Sequence, residues 1–187
     1  TSHQSGVRIL AAPTERLLLS RDAPVEQVDA LLQILQHNND YVIADLPRRI
    51  DMLSATVLEH SDQILMLVQP SLAHVNDSVR MIQLITKELA VPINRVRIVV
   101  NRLTKNSLIT TEDIKSALKI EQITEIPNQY KLVSESVDSG IPLMHSSKSS
   151  AVGKAIQRLT DNVCGIDEVK SGRRILGRAL PAFLGKH

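Results

Sequence analysis

The chain has 187 residues, of which 43% are apolar and 22% charged, and its net charge is +2 at neutral pH. That balance is the balance of a soluble globular chain able to bury a core; no run approaches the roughly 18 apolar residues of a membrane span, and no secretory signal opens it. Aromatic residues make up only 2%, with no Trp, so the core must be Leu, Ile and Val and the stacking platforms of a single-strand nucleic-acid binder are lacking.

In chain order, short apolar runs predict strands at Val7–Ala11, Tyr41–Asp45, Gln63–Val68, Val96–Val100 and Gln122–Ile126. The third and fourth are nearly continuous in Ile, Leu and Val, as expected of parallel strands covered on both faces. Amphipathic helices fall between them. Asp22 is placed to cap the first, with Pro24 in its first turn and Val25, Val28, Leu31, Leu32 and Leu35 as its stripe. Ser71 caps a long one with Val75, Val79, Ile82 and Leu89 facing inward, stopped by Pro92. Thr110 caps a shorter one carrying Ile114 and Leu118. Tyr130, Val133 and Val137 form a further stripe closed by Gly140 and Pro142, and Val152, Ile156, Leu159 and Val163 mark a last helix. The alternation implies βαβ units and an α/β fold, a doubly wound, mostly parallel sheet with helices on both faces.

In such sheets ligands sit beyond the carboxyl ends of the strands. YVIADLPRR ends an apolar strand in Asp45, which is either a carboxylate placed to hold Mg²⁺ beside phosphates or the start of a turn before Pro47. RVRIVVNR places Asn101 and Arg102 at a strand tip. The Asn amide offers a donor and an acceptor that could read the N6/N7 edge of adenine, or it caps a turn. ITEIPNQ places Pro127 and Asn128 after the next strand, either against a base or simply as a loop.

Taken in order, VRILAAP, YVIADLPRR, MLVQPSLAHVNDSVRMI, RVRIVVNR, EIPNQYKLVSESVDSGIPL and SAVGKAIQRL resemble the MinD/ParA family of deviant-Walker ATPases. The nearest likeness is to the CpaE/TadZ branch that serves Flp (tight-adherence) pilus assembly, over about Gly6 to Cys164. The resemblance implies a P-loop NTPase-like fold, a Mg²⁺/phosphate role for Asp45, an adenine flanked by Asn101 and Pro127, and a homodimer formed around ATP.

The family's Gly- and Lys-rich phosphate loop is absent. The Gly-Lys pair Gly153-Lys154 follows no strand and lacks both the earlier glycine and the following Ser/Thr, so it reads as a surface lysine on the last helix. The first strand and phosphate loop are expected upstream of this chain, which begins without Met; a branch that has lost them is the alternative. ATP and Mg²⁺ are therefore expected only if that loop is supplied, and whether the chain is an ATPase depends on it.

Other chemistries find no foothold. The six His show no metal-ligand spacing with one another or with the lone Cys164, and there is no nucleophile elbow. One cysteine excludes an internal disulfide and suits a reducing cytoplasm. From Gly165 on, five Lys/Arg against Asp167 and Glu168 give a tail of +3 on a body of −1. Residues 1–164 are thus expected to form the domain and 165–187 a basic amphipathic tail. Ile175, Leu176, Leu180 and Phe183 share one stripe, with Arg173 and Arg174 off it, the pattern of a segment lying on an anionic inner-membrane surface or in a partner's groove. The alternative is a tail that packs on its own domain or stays disordered.

The function expected is a cytoplasmic pilus-assembly and localisation factor that works with pilus or secretion assembly proteins. The alternatives are a catalytically silent localisation scaffold and a ParA-type DNA partition ATPase. The acidic body speaks against the last, and no specific nucleic acid is expected as partner.

Overall fold

A computed structural model describes residues 6–11 and 24–165. The expected cap Asp22 and the tail from residue 166 lie outside the described residues. The chain divides into two compact units, one within residues 1–62 together with Leu89–Val91, the other formed by Gln63–Glu88 and the chain from Pro92 onward.

The first unit is built on two helices packed together, α1 (Val25–Asn38) and α2 (Met52–His60). Of the α1 stripe only Leu32 is buried, and on α2 Leu58 is buried as well. The sequence reading has no helix at α2, yet its start is written in the residues. Asp51 accepts the N–H of Ser54 at 2.9 Å, and the Ser54 hydroxyl accepts the N–H of Asp51 at 2.8 Å, a reciprocal cap. Between the helices, His60 Nε2 lies 2.8 Å from Asp29 Oδ1, and Gln36 Nε2 donates to the His60 carbonyl at 3.1 Å.

The two strands expected in this unit do not form among the described residues. Val7–Ala11 shows a single bridge at Arg8, and 41–47 has no regular structure. A strand is defined by the neighbour that takes its N–H and C=O groups, and apolar alternation alone cannot supply one. Their side chains are accordingly exposed, Ile43 to 94%.

The second unit holds the sheet: β1 (Ile64–Val68), β2 (Val96–Leu103) and β3 (Ile123–Pro127), all parallel, in the order β1-β2-β3. α3 (Leu72–Gln83), continued by a π-helical turn at Leu84–Glu88, connects β1 to β2, and α4 (Thr111–Leu118) connects β2 to β3. Their caps are Ser71 and Thr110, as the sequence predicts. Ile98, Val99 and Val100 are consecutive and all essentially inaccessible. Neighbouring strand residues point to opposite faces, so the central strand is covered on both sides. Val75, Ile82, Ile85, Ile114, Leu118, Val152 and Ala155 complete this core. The α/β architecture read from the sequence is therefore the one found, with three strands among the described residues in place of the five expected.

α5 (Tyr130–Ser139), α6 (Leu143–Ser146) and α7 (Ala151–Val163) follow, with α7 packed on β3. The α5 stripe forms but is not covered among the described residues: Tyr130, Val133 and Val137 are 66%, 37% and 73% exposed. Period 3.6 identifies an apolar face but not what covers it. On β1, Leu65 and Leu67 are also exposed, and among the described residues that strand pairs on one side only. No described helix is long and apolar enough to cross a membrane.

Candidate functional site

The carboxyl ends of β2 and β3 carry the most unusual backbone in the second unit. Val100 pairs with Glu125 and Leu103 with Pro127, so three steps along β2 match two along β3. The extra residue is a bulge at Asn101–Arg102, a device that re-aims side chains at the rim of a sheet. Arg102 takes φ +58°, a left-handed conformation that costs a non-glycine residue about 1–2 kcal/mol. Asn101 holds it there, its Oδ1 accepting the Arg102 N–H at 2.9 Å. Beyond the bulge pairing resumes, with the Asn128 N–H donating to the Leu103 carbonyl at 2.9 Å.

Four of the residues singled out from the sequence are thereby brought onto adjacent strand ends. Asn101 and Pro127 are half-buried, and Arg102 and Asn128 are exposed. The boundaries shift from those expected. β2 runs on to Leu103 and β3 to Pro127, because the extra residue lets pairing continue past Val100. Asn101 and Arg102 thus sit within the strand rather than after it.

Asp45 is not brought into the same unit. It is exposed in the irregular segment 41–47 of the first. Among the described residues no three His, Cys, Asp or Glu side chains converge to hold a metal ion. Arg173, Arg174, Ile175, Leu176, Leu180 and Phe183 all lie outside the described residues.

The Gly-Lys pair resolves as packing. A Cβ on Gly153 would stand 2.6 Å from the Ser147 carbonyl oxygen and 2.7 Å from that of Lys148, so the first turn of α7 passes too close to the preceding loop for any side chain. Lys154 is exposed. The sequence reading overlooked Gln129, whose Oε1 accepts the Val152 N–H at 2.8 Å and ties the post-β3 loop to α7. Its one signal was a polar amide next to the Pro-Asn pair.

Chemically, the β2/β3 rim offers an amide with one donor group and an acceptor of two lone pairs, one of which Arg102 uses. It adds a guanidinium, a proline ring and the backbone of 127–128. That set suits a planar heteroaromatic base.

No protein-family model matches the chain. The septum site-determining protein MinD of Synechocystis is 29% identical over 154 residues, which are 79% of this chain and 56% of that protein. A ParA family ATPase from Chlorobium tepidum superposes with a TM-score of 0.66 at 31% identity, over 73% of this chain and 56% of its own. The chain is homologous to the MinD/ParA ATPases. MinD of Pyrococcus horikoshii, solved with Mg-ADP, superposes with a TM-score of 0.66 over 82% of this chain and 62% of its own, at an identity of 15% that speaks for fold alone. The parallel sheet and its helices match these P-loop NTPase-like structures, and the chain spans little more than half the length of the MinD and ParA relatives named here.

Proposed function

We propose that this chain forms the base-binding side of a MinD/ParA-like nucleotide site, and that the protein carrying it serves Flp pilus assembly and localisation. One observation carries the nucleotide half: the β2 bulge sets Asn101 and Arg102 beside Pro127 and Asn128 at the carboxyl ends of parallel strands, where ligands bind in open α/β sheets. In this reading the Asn101 amide takes the adenine edge, Pro127 packs on the ring and the Asn128 loop closes beside it. Asp45 would organise Mg²⁺, and the phosphates would be held by a loop outside the 187 residues. ATP then bridges two copies of the protein into a homodimer.

The pilus half rests on the order of motifs, above all RVRIVVNR followed by EIPNQYKLVSESVDSGIPL. The basic amphipathic tail, with Ile175, Leu176, Leu180 and Phe183 on one stripe and Arg173 and Arg174 off it, would hold the protein at the inner-membrane surface or on a pilus assembly protein.

Calorimetric titration of MgATP, with Asn101→Ala as control, tests the site: heat in the wild type that vanishes in the variant supports it. Deleting the gene tests the assignment. Loss of surface pili with normal division supports it, whereas misplaced septa with intact pili would transfer the protein to septum placement.

A second reading is a localisation scaffold that does not hydrolyse ATP, supported by Gly153, whose packing against the Ser147 and Lys148 carbonyls leaves the Gly153-Lys154 pair no phosphate-binding role. Full-length protein that binds partners and shows no ATP turnover would establish it.

A further inference from the structure

We propose that Gln129 is a positioning residue, holding the Pro127–Asn128 loop in register for base selection by anchoring it to the buried first turn of α7. The inference rests on the nucleotide reading above for what the loop selects, and on geometry alone for the anchoring.

The loop needs an anchor. Asn128 is exposed, Ile126 and Pro127 are only half-buried, and the Asn128 N–H donates to the Leu103 carbonyl at 2.9 Å. The helix that follows does not supply one: α5 has no buried residue, so it cannot clamp its own leading end against the core. α7 can. Val152 and Ala155 are 3% and 0% exposed, and Gly153 lies against the Ser147 and Lys148 carbonyls. Ser150 takes the Gly153 N–H at 3.0 Å, and Gln129 Oε1 takes the Val152 N–H at 2.8 Å. The first N–H groups of a helix have no partner within it, so each side of this bond satisfies a need of the other. Gln129 is the residue directly after Asn128, so freeing its side chain frees the loop at the atoms placed against the base.

The test compares Gln129→Met, which keeps the length and removes the acceptor, with Gln129→Glu, whose carboxylate still accepts at a helix N-terminus. Amide exchange on the full natural chain reads the anchoring without nucleotide. Asn128 and Val152 should exchange about tenfold faster in Gln129→Met, return to wild-type rates in Gln129→Glu, and leave β1 and α4 unchanged. The ATP-over-GTP preference should fall by about five- to tenfold in Gln129→Met and recover in Gln129→Glu, as expected for one misplaced hydrogen-bonding partner. Faster exchange at Val152 with none at Asn128 would overturn the proposal and leave Gln129 as a helix cap only. An unchanged ATP-over-GTP ratio with a loosened loop would overturn its part in base selection. Wild-type protein that binds neither nucleotide would instead overturn the nucleotide reading, and the exchange rates would still decide the anchoring.

Discussion

Asn101 and Arg102 form one conformational unit: the Asn101 amide oxygen accepts the N–H of Arg102 at 2.9 Å, and Arg102 holds φ at +58°. Strain of this kind persists where the surroundings over-determine it, and it gathers at ligand sites. Here it accompanies an extra residue in β2 at the mouth of the sheet.

A β-branched residue tolerates that conformation least and glycine most. Arg102→Val should therefore lower unfolding free energy by about 1–2 kcal/mol, and Arg102→Gly should leave it within about 1 kcal/mol of wild type. Urea denaturation of both variants checks the pair. Equal stability of Val and Gly variants would mean the left-handed turn is not held in solution.

Gly153→Ala sets two effects against each other. Alanine in a helix normally gains up to about 1 kcal/mol over glycine. Here its methyl would meet two backbone carbonyl oxygens at 2.6 and 2.7 Å, and backbone yields far less readily than a flexible side chain. Overpacking of about 1–3 kcal/mol should win, giving a lower melting temperature. Lys154→Ala should change neither stability nor nucleotide affinity by a measurable amount.

α4 should weaken in acid. The Thr110 hydroxyl and backbone N–H both donate to the Asp113 carboxylate, at 2.7 and 2.9 Å, and in that order they hold its pKa below the ordinary value. A carboxyl depressed on folding contributes stability that is complete above its unfolded pKa and fades as pH falls through the folded one. Amide protection in α4 should thus decline below about pH 4, the ordinary carboxylate range, and Asp113→Asn should flatten that decline. An identical acid profile in the variant would sink the assignment.

His60 joins the two helices of the first unit through Asp29, at 2.8 Å, while its Nδ1 lies 2.9 Å from the Thr56 carbonyl. Both side chains are about a third exposed, so solvent screens the pair. His60→Ala should cost about 1 kcal/mol, and Asp29→Asn, which keeps an acceptor oxygen, should cost less. Chemical denaturation followed by exchange at α1 and α2 measures both.

What could be read in advance was what the chain settles locally or by burial. Ile64–Val68 and Val96–Val100 announce strands because central parallel strands must be apolar on both faces, and Ser71 and Thr110 announce caps through their own side chains. α2 escaped notice although Asp51 and Ser54 stand at the right spacing, since its apolar residues do not fall on one stripe. The misread strands at 7–11 and 41–45 failed for a different reason: pairing depends on a distant neighbour that no local pattern reports. The site residues were visible one by one, but the bulge that assembles Asn101, Arg102, Pro127 and Asn128 is a difference in register between two strands, and Gln129 matters only through Val152, 23 residues on.

The edge position of β1 has a practical consequence. Among the described residues this strand pairs with β2 alone, with Leu65 and Leu67 exposed beside it, and such an edge is a template for an added strand. In a purified sample of these 187 residues another molecule of the same kind can supply that strand. Particle size, and with it every measured melting point, should then climb with protein concentration, and dilution should be the first variable controlled in any of these experiments.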